Sequence, residues 1–252
     1  MGCATGWPLA YHPAMPPSAP GEPNDGAIRV YMRHYFSYSH LQAAKRAARR
    51  AEAVEQQGDR VQQDELDHRA DVITAIVSAA LYLEAAVNEV FQDASDELAH
   101  PPHSLRGVRV TADRVALLRA FWAATSDGQK VRTLAKYQLL VHAMGGLPLD
   151  EAGITWQRAQ TVIVLRDYLV HYRPESVSRA VEHRFTRRLA GYRITDNPLA
   201  GEGHPWWPER ALGSALGHWC VDAATTFVGD VSSRTGLLKQ TPIRSASRAP
   251  LM

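Results

Sequence analysis

Cysteine is scarce in this 252-residue chain: only Cys3 and Cys220 are present. One lies in a proline-rich opening and the other in a helical pattern, so neither a disulfide framework nor a metal-ligand spacing follows. Such usage suits a reducing compartment. Strand-like alternation is missing beyond a few residues, and no internal repeat recurs. A secretory leader is also lacking, because residues 1–27 have no basic start followed by an apolar core. Met1-Gly2-Cys3 is a poor lipidation match, with Gly rather than Ser or Thr at position 6. The longest apolar stretch, Val72 to Val87, is interrupted by Glu84 and falls short of a bilayer's span. These absences lead to the expectation of a cytoplasmic protein with no membrane partner. The net charge of +2 is too small to announce a polyanion partner by itself.

What is present is helical. Prolines 8, 13, 16, 17, 20 and 23 mark residues 1–27 as a poorly ordered arm. From 28 to 57, Tyr31, Tyr35, Tyr38 and Leu41 step by three and four, while Lys45, Arg46, Arg49 and Arg50 form a basic cluster read as an exposed face. A second helix is expected over 61–98, and its centre is apolar on almost every side, as in the middle of a bundle. Glu84 and Asn88 share one face of it, with Glu84 read as an interhelical anchor. His100-Pro101-Pro102-His103 reads as a loop, since no carboxylate or cysteine nearby completes a metal shell. Further helices are expected over 111–125, 130–144 (stopped by Gly145-Gly146) and 155–172, the last ended by Pro174. Residues 173–206 read as a long irregular connection, and a final helix starts near Pro208. The whole is expected to be an all-α, antiparallel bundle of about five to six helices, one domain over 28–235, followed by a C-terminal tail over 236–252.

The chemistry concentrates at Arg166-Asp167-Tyr168-Leu169-Val170-His171. A guanidinium forks onto phosphate, and imidazoles move protons near neutral pH. Residues five apart on a helix diverge by about 140°, so Arg166 and His171 meet only if the helix unwinds, the arginine reaches around, or a second subunit brings its own copy. Asp167 and His171, four apart, share a face, and a carboxylate bonded to one ring nitrogen would fix the tautomer. This set suits cleavage of RNA by its own 2′-hydroxyl, with Arg166 and His171 catalytic and Asp167 supporting. The contrary reading pairs Arg166 with Asp167 or Glu84 and leaves His171 at the helix C-terminus. From Arg166 to Arg193 there are seven arginines against three acids. Among them Arg173, Arg184, Arg187 and Arg188 are expected to bind RNA. Neither a metal nor a cofactor is called for.

An arginine followed four to six residues later by a histidine, often with a polar residue directly after the arginine, is the signature of HEPN-domain proteins. Arg166, Asp167 and His171 match it. The chain also resembles that family at ALYLEAAVNEVF (80–91), KYQLL (136–140), VLRDYLVHYRPE (164–175) and WWPERAL (206–212), within roughly residues 28–235. The resemblance implies a HEPN-like bundle and a metal-independent endoribonuclease. It further implies a homodimer with two motifs facing across the interface, and a place in toxin–antitoxin or phage-defence systems with an antitoxin as candidate partner. Other members are thought to bind RNA or nucleotide without cleaving, which is the alternative reading. A helical assembly protein with a structural Arg166 and His171 is a third. The long 173–206 connection and the N-terminal arm depart from small toxin members.

Overall fold

The computed structural model describes residues 34–57, 62–96, 104–124, 131–177, 182–201 and 203–238. The unit treated below begins at Tyr35. The expected N-terminal arm, the Gly58-Asp59 break, the His100–His103 segment, the Ser126-Asp127-Gly128 turn and most of the C-terminal tail lie outside the described residues. The fold is all-α. Among the described residues the helices are α1 (Ser37–Gln57), α2 (Gln62–Ser95), α3 (Ala112–Ala124), α4 (Thr133–Ala143), α5 (Ile154–Val170), α6 (Arg184–Leu189) and α7 (Ser214–Thr235). The one sheet among them is a two-residue-per-strand antiparallel hairpin, β1 (Ser104–Leu105) with β2 (Val108–Arg109).

α2 is the axis, touching α1, α3, α4, α5 and α7. Its Val72, Ile76, Ala79, Leu83, Val87, Val90 and Phe91 are buried. An all-round apolar helix needs such cover. By length and composition its segment Glu65–Ser95 would also suffice to cross a membrane, longer than the Val72–Val87 run suggests, and 56% of the qualifying window is buried inside the protein. α1 lies on α2 through alanines: Ala44, Ala47, Ala48 and Ala51 are fully buried, and such small side chains let two helices approach closely.

Polar clasps set the register between these helices. Tyr35 Oη donates to Asp93 Oδ1 at 2.9 Å, and Ser37 donates through N and Oγ to Glu89, both at 2.7 Å. Further along, Arg50 forks onto Asp71, and His68 Nε2 lies 2.7 Å from Glu55 Oε1. As the α1 partner number rises, the α2 number falls, so the two run antiparallel. Glu55 also accepts from Ser214 N and Oγ, at 2.6 and 2.5 Å, and so caps α7 from another helix.

Several sequence expectations need correction. The 173–206 connection is not wholly irregular, because α6 lies in it. Phe185 and Leu189, four apart, bury one face, and His183 Nδ1 caps the start by accepting from Phe185 N at 3.2 Å. The last helix does not start near Pro208. Trp206–Arg210 makes a separate wide turn broken by extended backbone at Trp207, and α7 begins at Ser214. Gly236, at φ +74°, closes α7, and Leu237 and Leu238 are buried, so the chain past 235 starts inside the core rather than as a tail. Gly145, also at φ +74°, ends α4 as expected.

Glu55 gives the first testable consequence. Burial pushes its carboxyl up, but the bonds from His68 and Ser214 outweigh that and hold it below its ordinary 4.5. A carboxylate lowered by folding stabilises fully above its unfolded value, and that stability is lost as pH falls through the lower folded value. Glu55→Gln is expected to cost about 1–2 kcal/mol at pH 7 and to flatten the fall in stability as pH drops below its ordinary 4.5. Denaturant unfolding across that range checks it; identical pH dependence in variant and wild type would refute the clasp.

Candidate functional site: a cationic pocket at the end of α5

α5 enters the core through Trp156, Ala159, Val162 and Leu165, all buried. It ends at Val170, short of Arg173, where Pro174 disfavours helical backbone. His171 closes it at φ −103° and ψ 33°, its backbone N–H donating to Asp167 O at 3.0 Å.

Arg166 leaves α5 towards α2. Its Nη2 donates to Glu84 Oε2 at 3.2 Å and its Nη1 lies 3.1 Å from Asp167 Oδ1. Glu84 also attracts Lys136 of α4, a fully buried residue whose Nζ donates to Asn88 Oδ1 at 2.7 Å. Burial lowers the Lys136 ammonium from its ordinary value, and Glu84 partly opposes this. Glu84 and Asn88 therefore form the expected one-face pair, and Glu84 is the interhelical anchor. The Arg166 side chain is 22% exposed, and its buried Nε has no hydrogen bond.

His171 faces elsewhere. It is exposed and opens onto a cavity of about 610 Å³ that it shares with Asp167, Arg173, Glu175, Arg184 and Arg188. Arg166 does not line this cavity. Three of the four expected RNA-binding arginines thus converge with His171. Arg187 does not: its side chain is 71% exposed and lies 3.7 Å from Glu182. The expected carboxylate–imidazole bond is also absent among the described residues. Asp167 gives its oxygen to Arg166, and only backbone links it to His171, because α5 ends just where the imidazole begins.

The arginines reach the pocket from different segments. Arg173 follows the helix end and carries no ion pair among the described residues. Arg184 lies over the rings of Tyr168 and Phe185, 5.1 and 5.3 Å from their centroids. Arg188 is steadied by neutral partners, Thr161 Oγ1 at 3.2 Å and Gln160 Oε1 at 3.4 Å. Among the described residues no carboxylate pairs directly with it, although Asp167 and Glu175 line the same cavity.

A rigid floor holds these groups. Tyr168 donates to Glu175 Oε1, and His183 Nε2 lies 3.0 Å from the same oxygen. Because His183 Nδ1 already accepts from Phe185 N, its Nε2 carries the hydrogen and donates to Glu175. Burial, and then the bond to Glu175, push the Tyr168 hydroxyl up to about 12. Glu175 is lowered, chiefly by the Tyr168 hydroxyl. Trp207 stacks on His183 at 5.6 Å and 7° and meets Tyr168 edge to face. Sequence reading missed Tyr168, Glu175, His183 and Trp207 as a unit. The residues lie up to 39 positions apart, and no spacing announces them; the stretches VLRDYLVHYRPE and WWPERAL, which hold Tyr168, Glu175 and Trp207, were the local signals.

The fold and this site define an all-α protein with a cationic, aromatic-floored pocket. No family model matches the chain, and no curated protein or solved structure matches it either. Among the described residues no three His, Cys, Asp or Glu side chains converge as a metal cage.

The two motif residues should respond differently to truncation. Arg166→Ala strands Glu84 beside α5 and is expected to cost about 1–2 kcal/mol. His171→Ala, which removes no side-chain hydrogen bond, should stay within about 0.5 kcal/mol of wild type. Paired denaturation curves check this, and equal losses would contradict the assignment of Arg166 to the helix seam.

Proposed function

We propose that this chain is a HEPN-like, metal-independent endoribonuclease, with the pocket at the end of α5 holding one phosphodiester of an RNA strand. The observation that carries the reading is the convergence of Arg173, Arg184 and Arg188 with an exposed His171 in one cavity. Guanidinium groups neutralise the charge that grows on a phosphate under attack. In the reaction, the 2′-oxygen attacks phosphorus and the 5′-oxygen leaves. His171 takes the 2′-hydroxyl proton or returns one to the leaving oxygen. The products are a 2′,3′-cyclic phosphate and a 5′-hydroxyl. Arg173 and Arg188 grip the phosphate, while Arg166 serves its own protomer as a positioning residue for Asp167.

A homodimer belongs to this reading. Val170 and Tyr172, on either side of His171, are 53% and 52% exposed, and a second copy seated there would cover them. Such a dimer brings two motifs together, so that Arg173 and Arg188 of one protomer and His171 of the other serve the same phosphate. An antitoxin partner and a place in toxin–antitoxin or phage defence belong to the resemblance, and RNA cleavage is their precondition.

One observation favours a second reading, binding of RNA or nucleotide without cleavage: Arg166 is held by Glu84 and Asp167 rather than free for substrate.

Incubating the purified protein with mixed RNA, with and without a chelator, decides between them. Cleavage with cyclic phosphate ends, unchanged by the chelator and about 100-fold or more slower in His171→Ala, is expected. RNA left intact by wild type ends the enzyme reading. Retained binding that Arg173→Ala/Arg188→Ala abolishes would then leave the second reading standing. Light scattering at micromolar concentration should give a dimer; a monomer would remove the composite site.

A further inference from the structure

We infer that the pocket at the end of α5 selects guanosine, with Asp167 reading the Watson–Crick edge of a guanine base while Arg173 and Arg188 hold the adjoining phosphate; this rests on the RNA reading above. Two groups of the cavity have no part in the phosphate grip. One is the carboxylate of Asp167, whose charge repels a phosphate. The other is Arg184, which lies over the rings of Tyr168 and Phe185. The cavity is also larger than one phosphate needs: its volume of about 610 Å³ falls in the range that encloses a whole small ligand.

Asp167 is placed as an acceptor. Arg166 Nη1 lies 3.1 Å from its Oδ1 and steadies the carboxylate, yet the side chain is still 54% exposed. An ionised carboxylate has about four acceptor positions, so this one contact leaves both oxygens able to accept from a ligand. Glu175, the other carboxylate of the cavity, already accepts from Tyr168 and His183 through one oxygen. Among the four RNA bases only guanine sets two donors side by side on its Watson–Crick edge, N1–H and the 2-amino group, and that pair matches the fork of a carboxylate. Adenine and cytosine place a ring-nitrogen acceptor beside their amino group, and uracil flanks N3–H with two carbonyls. Each of these turns a lone pair towards Asp167. Hydrogen bonds to Watson–Crick edges and stacking on guanidinium planes are the means by which proteins read unpaired bases in RNA. Arg184 supplies the stacking surface: Tyr168 and Phe185 back it, and its exposed side is left for the base.

The test measures the affinity of the full chain for 5′-GMP, 5′-IMP, 5′-AMP, 5′-CMP and 5′-UMP. Wild type is expected to bind 5′-GMP roughly tenfold or more tighter than 5′-AMP, 5′-CMP and 5′-UMP, the discrimination that a bidentate pair to a base edge supplies. 5′-IMP keeps N1–H but lacks the 2-amino group, and its affinity should fall between. Asp167→Asn, of the same size, exchanges one acceptor oxygen for a donor amide. It should bring 5′-GMP down to the level of 5′-AMP while 5′-AMP binds as tightly as before or tighter. If Asp167→Asn instead weakens all the nucleotides alike, Asp167 is merely structural and the guanine assignment is wrong. Arg173→Ala/Arg188→Ala should weaken all of them by the same factor, since the phosphate is common to them; a loss confined to 5′-GMP would overturn the division between phosphate grip and base reader. Wild type that binds every nucleotide alike, with that uniform loss retained, overturns guanine selection and leaves the pocket reading intact. Wild type that binds neither these nucleotides nor mixed RNA overturns both.

Discussion

The apolar centre of α2, from Val72 to Phe91, has to be covered, and the rest of this fold answers that constraint. α1 covers α2 with alanines, α7 and α5 complete the layer, and α3 and α4 close the remaining flank. Charge enters this interior only where it is answered. Lys136 is held by Asn88 and attracted by Glu84, and Arg166 by Glu84. An unanswered charge at such depth costs more than any single packing contact returns. The polar positions on α2 therefore decide which neighbouring helices carry cations, and at what height.

This explains why the pocket is built as it is. The arginine of the Arg/His motif sits over Glu84, so α2 draws it into the seam. The cations that face His171 must come from elsewhere: Arg173 just past the helix end, and Arg184 and Arg188 from α6. Segments of that kind are mobile unless pinned. Here the pin is the aromatic cluster of Tyr168, Phe185, His183 and Trp207, closed by Glu175. Its hydrogen bonds hold the chain after Pro174 and the start of α6 in one arrangement, so the guanidinium groups are presented rather than free to sweep.

Much of the architecture was legible beforehand. The five long periodic segments became α1 to α5, because the period of apolar side chains survives into the packed state; α1 begins at Ser37 rather than near 28, with residues 28–33 outside those described, and the other ends shift by a few residues. Gly145 and Pro174 marked real stops. Glu84 and Asn88 were readable as an inward pair, since a carboxylate in an apolar run must meet a partner. α6 escaped notice because six residues with two apolar positions give too short a period, and its cap is a histidine rather than a serine or aspartate. The burial of Leu237 and Leu238 escaped for another reason: a glycine marks where a helix ends but not where the chain goes next. At the site, the basic run pointed to the segment that lines the pocket, yet it did not separate Arg187, which faces solvent beside Glu182, from Arg188, one residue on.

Local order along the chain was sufficient to determine that this is a helical protein with α2 at its centre and a cationic, histidine-bearing end on α5. Spacing and hydropathy are properties of neighbours in sequence, and they carry that much. Which arginines share a cavity with His171, and that Arg166 is not among them, was decided only in three dimensions. A long side chain goes to whichever opposite charge lies within reach, and Glu84, 82 residues away in sequence, is brought near by helix packing alone.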